Sequence, residues 1–196
     1  MRALLIAAFC LAAACSAPAD PKPVSGQASA VFAGGCFWCT ESDFDKMPGV
    51  LSTVSGYSGG KLARPTYKQV SAGGTGHIEA VRVTYDPRRI SYAQLVTRFL
   101  PTIDVVDNGG QFCDRGDSYR PAIFVANPAE RRAAEAALAA AAQRLGQPTK
   151  VAVLPASAFW PAEAYHQDYY KKNPVQYKFY RWNCGRNQRL KALWQR

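Results

Sequence analysis

The chain has 196 residues, 48% of them hydrophobic and 19% charged, with six cysteines and a formal net charge of +10. That length makes one domain and buries a core without disulfide staples, which excludes a small disulfide scaffold, and the composition excludes a disordered chain or a repeat array. The basic residues are scattered, densest in the last quarter (Lys171, Lys172, Lys178, Arg181, Arg186, Arg189, Lys191, Arg196), and no nucleic-acid motif accompanies them. They read as a solvated basic face with some attraction to a membrane surface, and no nucleic-acid partner is expected.

Residues 1–19 read as a separate leader with the start of a tether. Arg2 followed by the apolar run Ala3–Ala14 is too short to span a bilayer and fits the charged and apolar regions of an export signal. Two processing sites compete: Leu11-Ala12-Ala13-Ala14-Cys15, in which Cys15 becomes a lipidated first residue, and Ala17-Pro18-Ala19, an ordinary signal-peptidase pattern. The closeness of the apolar run to Cys15 favours the lipoprotein form. Residues 20–29 are then a flexible linker and 30–196 one catalytic domain with a docked C-terminal tail. The expected location is outside the cytoplasm, either periplasmic or anchored to the cell envelope through lipidated Cys15.

The mature domain begins with Ala30–Ala33, expected as a core strand, then Gly34-Gly35 and a helix over Cys36–Lys46 stopped by Pro48-Gly49. This strand-turn-helix pattern sets the Cys36 sulfur at a helix N-terminus, where unpaired N–H groups and about half a positive charge favour a thiolate. Phe37 and Trp38 put flat apolar surface beside it, which suits a small apolar substrate group. The competing reading is that Cys36 and Cys39 are buried small hydrophobes.

Val50–Tyr57 alternates as a strand, Ser58-Gly59-Gly60 turns, and glycine-rich Arg64–His77 reads as an ordered loop of the kind that holds ligands. Ile78–Tyr85 is the clearest strand: Val81, Val83 and Tyr85 share one face, and Glu79 shares it with them. A carboxyl on a buried face has a raised pKa and suits a general acid. The alternative is a rim glutamate paired with an arginine.

Ser91 caps a helix to about Leu100, and Pro101–Pro121 is long and irregular, as functional loops are. Ala122–Ala126 and Val151–Leu154 are short strands around an alanine-rich helix that runs to Leu145. Pro161 opens a predicted helix over Ala162–Lys172, with Tyr165, Tyr169 and Tyr170 near one another. In the tail, Trp182, Leu190, Leu193 and Trp194 are expected to dock. Strands and helices without strict alternation give an α+β two-layer sandwich. Only Cys36 and Cys39 are close among the mature cysteines, Cys113 and Cys184 standing alone, so a zinc site is not expected and redox chemistry is.

Five segments resemble, in order and spacing, the methionine sulfoxide reductase A family. They are Gly34-Gly35-Cys36-Phe37-Trp38-Cys39 with Glu41, Gly56-Tyr57-Ser58-Gly59-Gly60, Pro65-Thr66-Tyr67, Gly76-His77-Ile78-Glu79 and Gly116-Asp117-Ser118-Tyr119. The resemblance implies a ferredoxin-like core and reduction of the S epimer of methionine sulfoxide, free or in proteins, with repair of oxidised envelope proteins as the use. It implies Cys36 as nucleophile, Phe37 and Trp38 as an apolar cage, and Glu79, Tyr67 and Tyr119 around the sulfoxide oxygen, Glu79 giving the proton and Asp114 supporting the polar side. No cofactor or metal is implied, but an external thioredoxin-like dithiol is, acting on a disulfide formed after a sulfenic acid on Cys36. The protein is expected to act as a monomer.

Cys39 and Cys184 both stay open as the resolving cysteine, ahead of Cys113, which stands where relatives commonly have asparagine. Ile103-Asp104-Val105 stands where many have His-Asp-Pro. His77 and His166 read as structural. The rival enzyme is a thioredoxin-like thiol-disulfide oxidoreductase using the Cys36/Cys39 pair, though the cis-proline signature of such enzymes is missing downstream. A basic envelope-binding module without catalysis is the other alternative.

Overall fold

A computed structural model describes residues 26–195. The leader, both processing sites and Cys15 lie outside the described residues. Among these, no helix is long and apolar enough to cross a membrane.

β1 (Ala28–Ala33) runs through the interior of a six-stranded sheet. It pairs antiparallel with β3 (Ile78–Tyr85) on one side and with β6 (Ala122–Val125) on the other, Val31 facing both Arg82 and Phe124. β2 (Val50–Ser58) lies against the far edge of β3, in a register that sets Tyr57 opposite Glu79. α4 (Pro128–Leu145) carries the chain from β6 to β7 (Ala152–Pro155), its parallel neighbour. The sheet with its helices is the expected α+β sandwich.

β3 is buried on both faces where it matters. Val81, Val83 and Tyr85 join the larger core cluster, whereas Ile78 and Ala80 pack in a second cluster with Ala33, Ala122, Phe124 and Phe159. The larger core is welded by Phe32 of β1, Phe44 of α1 (Phe37–Phe44) and Phe99 of α3 (Tyr92–Phe99), whose ring centroids lie 4.9, 5.1 and 5.5 Å apart. Each buried phenyl contributes roughly 2–3 kcal/mol through area removed from water. This cluster fixes α1 against the sheet and so sets the position of the cysteines at its N-terminal end.

Several segments differ from the sequence-based expectation. Arg64–His77 is not all loop: α2 (Tyr67–Ser71) forms inside it, started by a capping box in which the Thr66 hydroxyl accepts from the Gln69 N–H and Gln69 accepts from the Thr66 N–H. The irregular 101–121 stretch contains a small hairpin of β4 (Gly110–Gln111) and β5 (Asp114–Arg115). Pro161 does not open a helix. It ends β8 (Trp160–Pro161), an edge strand on β2 where its missing N–H costs nothing, and helix appears only in α5 (Tyr169–Lys172), after Asp168 at φ +53°. The tail folds as α6 (Pro174–Asn183) and α7 (Arg186–Trp194), hinged at Gly185 with φ +66°. Leu193 and Trp194 dock, but Trp182 stays 63% exposed, because it falls on the outer face of α6.

Candidate active site

The site is built at the point where β1 ends and α1 begins. Gly34 and Gly35 make the turn: a Cβ on Gly34 would lie 2.8 Å from Thr40 Oγ1 and 2.9 Å from Ile103 Cγ2, and Gly35 adopts φ +79° with Gln111 packed over it. Gln111 is fully buried and pins the 103–111 segment there, donating to the carbonyl of Asp104 at 2.9 Å and accepting from its N–H at 2.8 Å.

Cys36 is the N-cap residue of α1, and its side chain makes no cap hydrogen bond. The first helical N–H, that of Phe37, would be an orphan donor; it donates to Glu79 Oε2 at 2.9 Å. This bond ties the carboxyl of β3 to the residue after Cys36, so the helix start holds Glu79 beside the thiol. Glu79 is 3% exposed, and burial, opposed by the Phe37 N–H and reinforced by Asp114, pushes its carboxyl up to about 8. It is therefore largely a neutral acid at pH 7. The rim-arginine alternative has no counterpart here.

The cysteine expectation needs correction. Burial pushes the Cys36 thiol well above its ordinary value, and the hydrogen bond it donates to Cys39, together with the negative charges near it, adds to that. The helix N-terminus does not make it a thiolate in the free protein. Cys39, accepting that hydrogen bond, is pulled below its ordinary value with help from Arg186 and Arg181, against its own burial. Arg186 is 2% exposed, an unusual fate for an arginine. It donates to the Thr102 carbonyl at 2.7 Å and to the Gly34 carbonyl at 3.4 Å, sits 3.7 Å from Asp43, and stacks over Phe112. Its Nε finds no hydrogen-bond partner among the described residues. Arg181 completes the group, 3.0 Å from Asp43.

Around Glu79 stand Tyr67 and Tyr119, whose hydroxyls bond to each other and are both pushed up by burial and by the Glu79 charge. Tyr67 is held from behind, its N–H donating to Glu163 Oε1 at 2.8 Å while Tyr57 donates to the other oxygen at 2.9 Å. Asp114 lies near enough to raise both Glu79 and Cys36; its own carboxyl accepts from the Tyr180 hydroxyl. Burial raises Asp114, opposed by Tyr180 and Arg186.

The two aromatic side chains after Cys36 part company. Phe37 is 1% exposed, packed on His166, Tyr57 and Tyr67 at centroid distances of 4.9, 5.9 and 6.5 Å. Trp38 is half-buried, stacked on Tyr169 at 3.7 Å with Tyr180 edge-on at 5.8 Å, and its indole N–H donates to His166 Nδ1 at 3.0 Å. That bond requires the proton of neutral His166 to sit on Nε2.

Cys184 is not a free thiol. It is joined to Cys113 across 71 residues, while Cys36 and Cys39 are free and buried. Sequence reading missed this pairing and also Arg186, Glu163 and Tyr180, because each reaches the site across more than 60 residues of chain and leaves no local pattern. The Asp114 carboxylate and the sulfurs of Cys113 and Cys184 lie within 4.8 Å of one another, but the sulfurs are bonded to each other and the carboxylate is taken by Tyr180.

A free thiol, a neutral carboxylic acid and two phenols near enough to feel one another's charge are parts suited to taking an oxygen from sulfur. Comparison with known proteins agrees. The family model for peptide methionine sulfoxide reductase matches residues 28–196. A peptide methionine sulfoxide reductase MsrA 2 from Caulobacter vibrioides is 50% identical over 192 residues, spanning 97% of this chain and 96% of that one. Reduced Mxr1 from Saccharomyces cerevisiae superposes with a TM-score of 0.74 at 27% identity, covering 82% of this chain and 91% of the yeast chain. A second yeast Mxr1 structure, in complex with Trx2, shares the fold with a TM-score of 0.53 at 19% identity over 76% of this chain and 89% of the other. This chain belongs to the peptide methionine sulfoxide reductase family, type A, and its reaction is the thiol-dependent reduction of the S epimer of methionine sulfoxide to methionine.

Proposed function

We propose that Cys36 attacks the sulfoxide sulfur while Glu79 protonates the sulfoxide oxygen, with Tyr67 and Tyr119 steadying that oxygen and Asp114 setting the polarity of the same wall. Trp38 offers its exposed face to the methyl group, and Phe37 backs the pocket from the core. The observation that carries this reading is the Phe37 N–H bond to Glu79 at 2.9 Å, which joins acid and nucleophile through one residue. A sulfoxide oxygen is a poor leaving group until protonated, so the neutral state of Glu79 near pH 7 is the useful one.

The proton balance uses both cysteines. Cys36 gives its thiol proton to Cys39, the hydrogen-bonded thiolate, as its sulfur takes the oxygen; Glu79 delivers a proton to that oxygen. Products are methionine, a sulfenic acid on Cys36, a thiol on Cys39 and an ionised Glu79. Cys39 then attacks the sulfenic sulfur, water leaves, and a Cys36–Cys39 disulfide remains. Cys39 is favoured over Cys184 as the resolving residue because it is the free thiol already bonded to Cys36.

Regeneration needs two electrons and two protons from an external dithiol. A thioredoxin-like protein suits this, as the yeast relative's complex with Trx2 suggests. Action on oxidised envelope proteins, an exported location and lipidation at Cys15 follow from the leader sequence alone and belong to the same proposal. Mass mapping after one turnover without reductant tests it: a Cys36–Cys39 bond supports the scheme, and unmodified Cys36 with methionine released removes it.

A further inference from the structure

The last stretch of the chain, residues 169–196, holds eight of the 24 lysines and arginines and none of the 14 aspartates and glutamates. Part of that charge is taken up inside the fold: Arg186 is buried, Arg181 pairs with Asp43, Arg189 with Asp104, and Lys171 with Asp45 and Asp168. Lys178 and Lys191 are different. Both are exposed, and neither α6 nor α7 carries an acid that could pair them.

α6 has two unlike faces. On the inner one Tyr177 is buried, Arg181 bonds to Asp43, and Tyr180 donates to Asp114 and stands edge-on to Trp38 at 5.8 Å. On the outer one Val175, Phe179 and Trp182 share the spacing of a single helix face, and at 75%, 64% and 63% they are the most exposed large apolar side chains of the described residues. The Phe179 and Trp182 rings sit 6.0 Å apart. Lys178 lies on the edge of the same stripe, three residues after Val175 and four before Trp182. With Lys191 it lines a depression of about 360 Å3 between α6 and α7 that Trp182 also lines.

An apolar stripe left in water on a charged helix marks an interaction surface. From Val175 to Trp182 the helix runs only about 10 Å, far short of the roughly 800 Å2 a side that a standard protein interface covers. A lipid surface needs less. Helices that lie in the headgroup layer sink Trp, Phe and aliphatic side chains between the lipids and set basic side chains against anionic phosphates, and α6 has that composition.

We infer that the Val175, Phe179 and Trp182 face of α6, with Lys178 and Lys191 beside it, lies on an anionic phospholipid surface. The three apolar side chains enter the headgroup layer and the two lysines meet phosphates. An export leader brings a chain to such a surface, but the stripe and the lysines belong to the folded domain and act without it. Because Tyr180 occupies the inner side of the same helix, about one helix diameter, roughly 10 Å, separates the lipid from Asp114 and Trp38. On the reading of Cys36 and Glu79 given above, the sulfoxides served first are those of protein segments lying at that surface.

Residues 16–196, which hold the whole described fold and carry no acyl group, are sedimented with vesicles of phosphatidylglycerol and phosphatidylcholine and with vesicles of phosphatidylcholine alone. Partition onto the anionic vesicles should be at least about tenfold stronger and should weaken as salt is raised. W182S and F179S, which leave the charge unchanged, should each lower it about tenfold, and K178E/K191E should abolish the preference for anionic lipid. Tryptophan emission should shift to the blue on the anionic vesicles, and W182F should lose that shift. All these variants should reduce free methionine sulfoxide with dithiothreitol at the unaltered rate. No binding by the unaltered chain overturns the assignment and gives the face to an acidic protein. Binding that W182S and F179S leave untouched is charge attraction alone and overturns it as well. For the substrate, a methionine sulfoxide peptide held on anionic vesicles should be reduced at least about fivefold faster than the same peptide in solution, an advantage that W182S erases. Equal rates with vesicle binding intact overturn the substrate assignment alone, and no methionine from either peptide overturns the sulfoxide reading instead.

Discussion

The chain carries two cysteine pairs that differ in nearly every physical respect. Cys36 and Cys39 share one end of α1, are buried, and face a neutral acid on one side and two arginines on the other. Cys113 and Cys184 come from distant parts of the chain, meet at the surface and are already bonded. Surroundings, more than residue type, decide what each does. A thiol that must receive oxygen needs exclusion of water and a proton donor, whereas one that must meet another protein needs exposure.

The largest effect expected is from Cys36→Ser, which should abolish methionine formation with any reductant, measured as product release; activity surviving in that variant would dissolve the distinction between the pairs. Next is Glu79→Gln. An amide still accepts from the Phe37 N–H but has no acidic proton to give, so the chemical step should slow by about 10²–10⁴ with little change in substrate binding, read by single-turnover kinetics.

That variant should also be more stable at neutral pH. Burial raises Glu79 from an unfolded value of about 4.3 to about 8, so its neutral form is favoured by folding. Its stabilising contribution is fully present below about pH 4 and is lost as pH rises through about 8. Thermal unfolding of Glu79→Gln should lose this fall, and a melting temperature equally pH-dependent in both proteins would contradict the buried, neutral assignment.

Arg186→Met tests the cationic side of the inner pair. It removes a buried charge beside Asp43, which Arg181 continues to pair, and should cost about 3 kcal/mol in urea unfolding and move the titration of Cys39 upward. A Cys39 titration that does not move would separate Arg186 from the thiol. Tyr180→Phe should have the smallest effect, about 1 kcal/mol, by leaving Asp114 without its donor.

What the sequence made legible was local. The turn before Cys36, the strand carrying Glu79 and its inward parity, and the α4 helix all follow from short-range spacing, and Tyr67, Tyr119 and Asp114 follow from resemblance. The Thr66 and Gln69 capping box that starts α2 was a readable signal hidden among glycines. What was not legible depends on chain segments meeting. Arg186 reads as one more surface cation until its contacts with Thr102, Gly34 and Phe112 are seen, and Pro161 reads as a helix start until β2 supplies a partner strand. The thiolate expected of Cys36 failed for a related reason: the helix terminus is local, but the burial and the neighbouring acids that outweigh it are tertiary.

The central claim is that a neutral Glu79 and Cys36 act together on one sulfoxide. Its most direct test is the single-turnover rate of methionine release across pH in the unaltered chain and in Glu79→Gln. The account predicts a rate that falls as pH rises through about 8 in the unaltered chain and a slow rate without that fall in the variant. Superimposable profiles of equal height would contradict it.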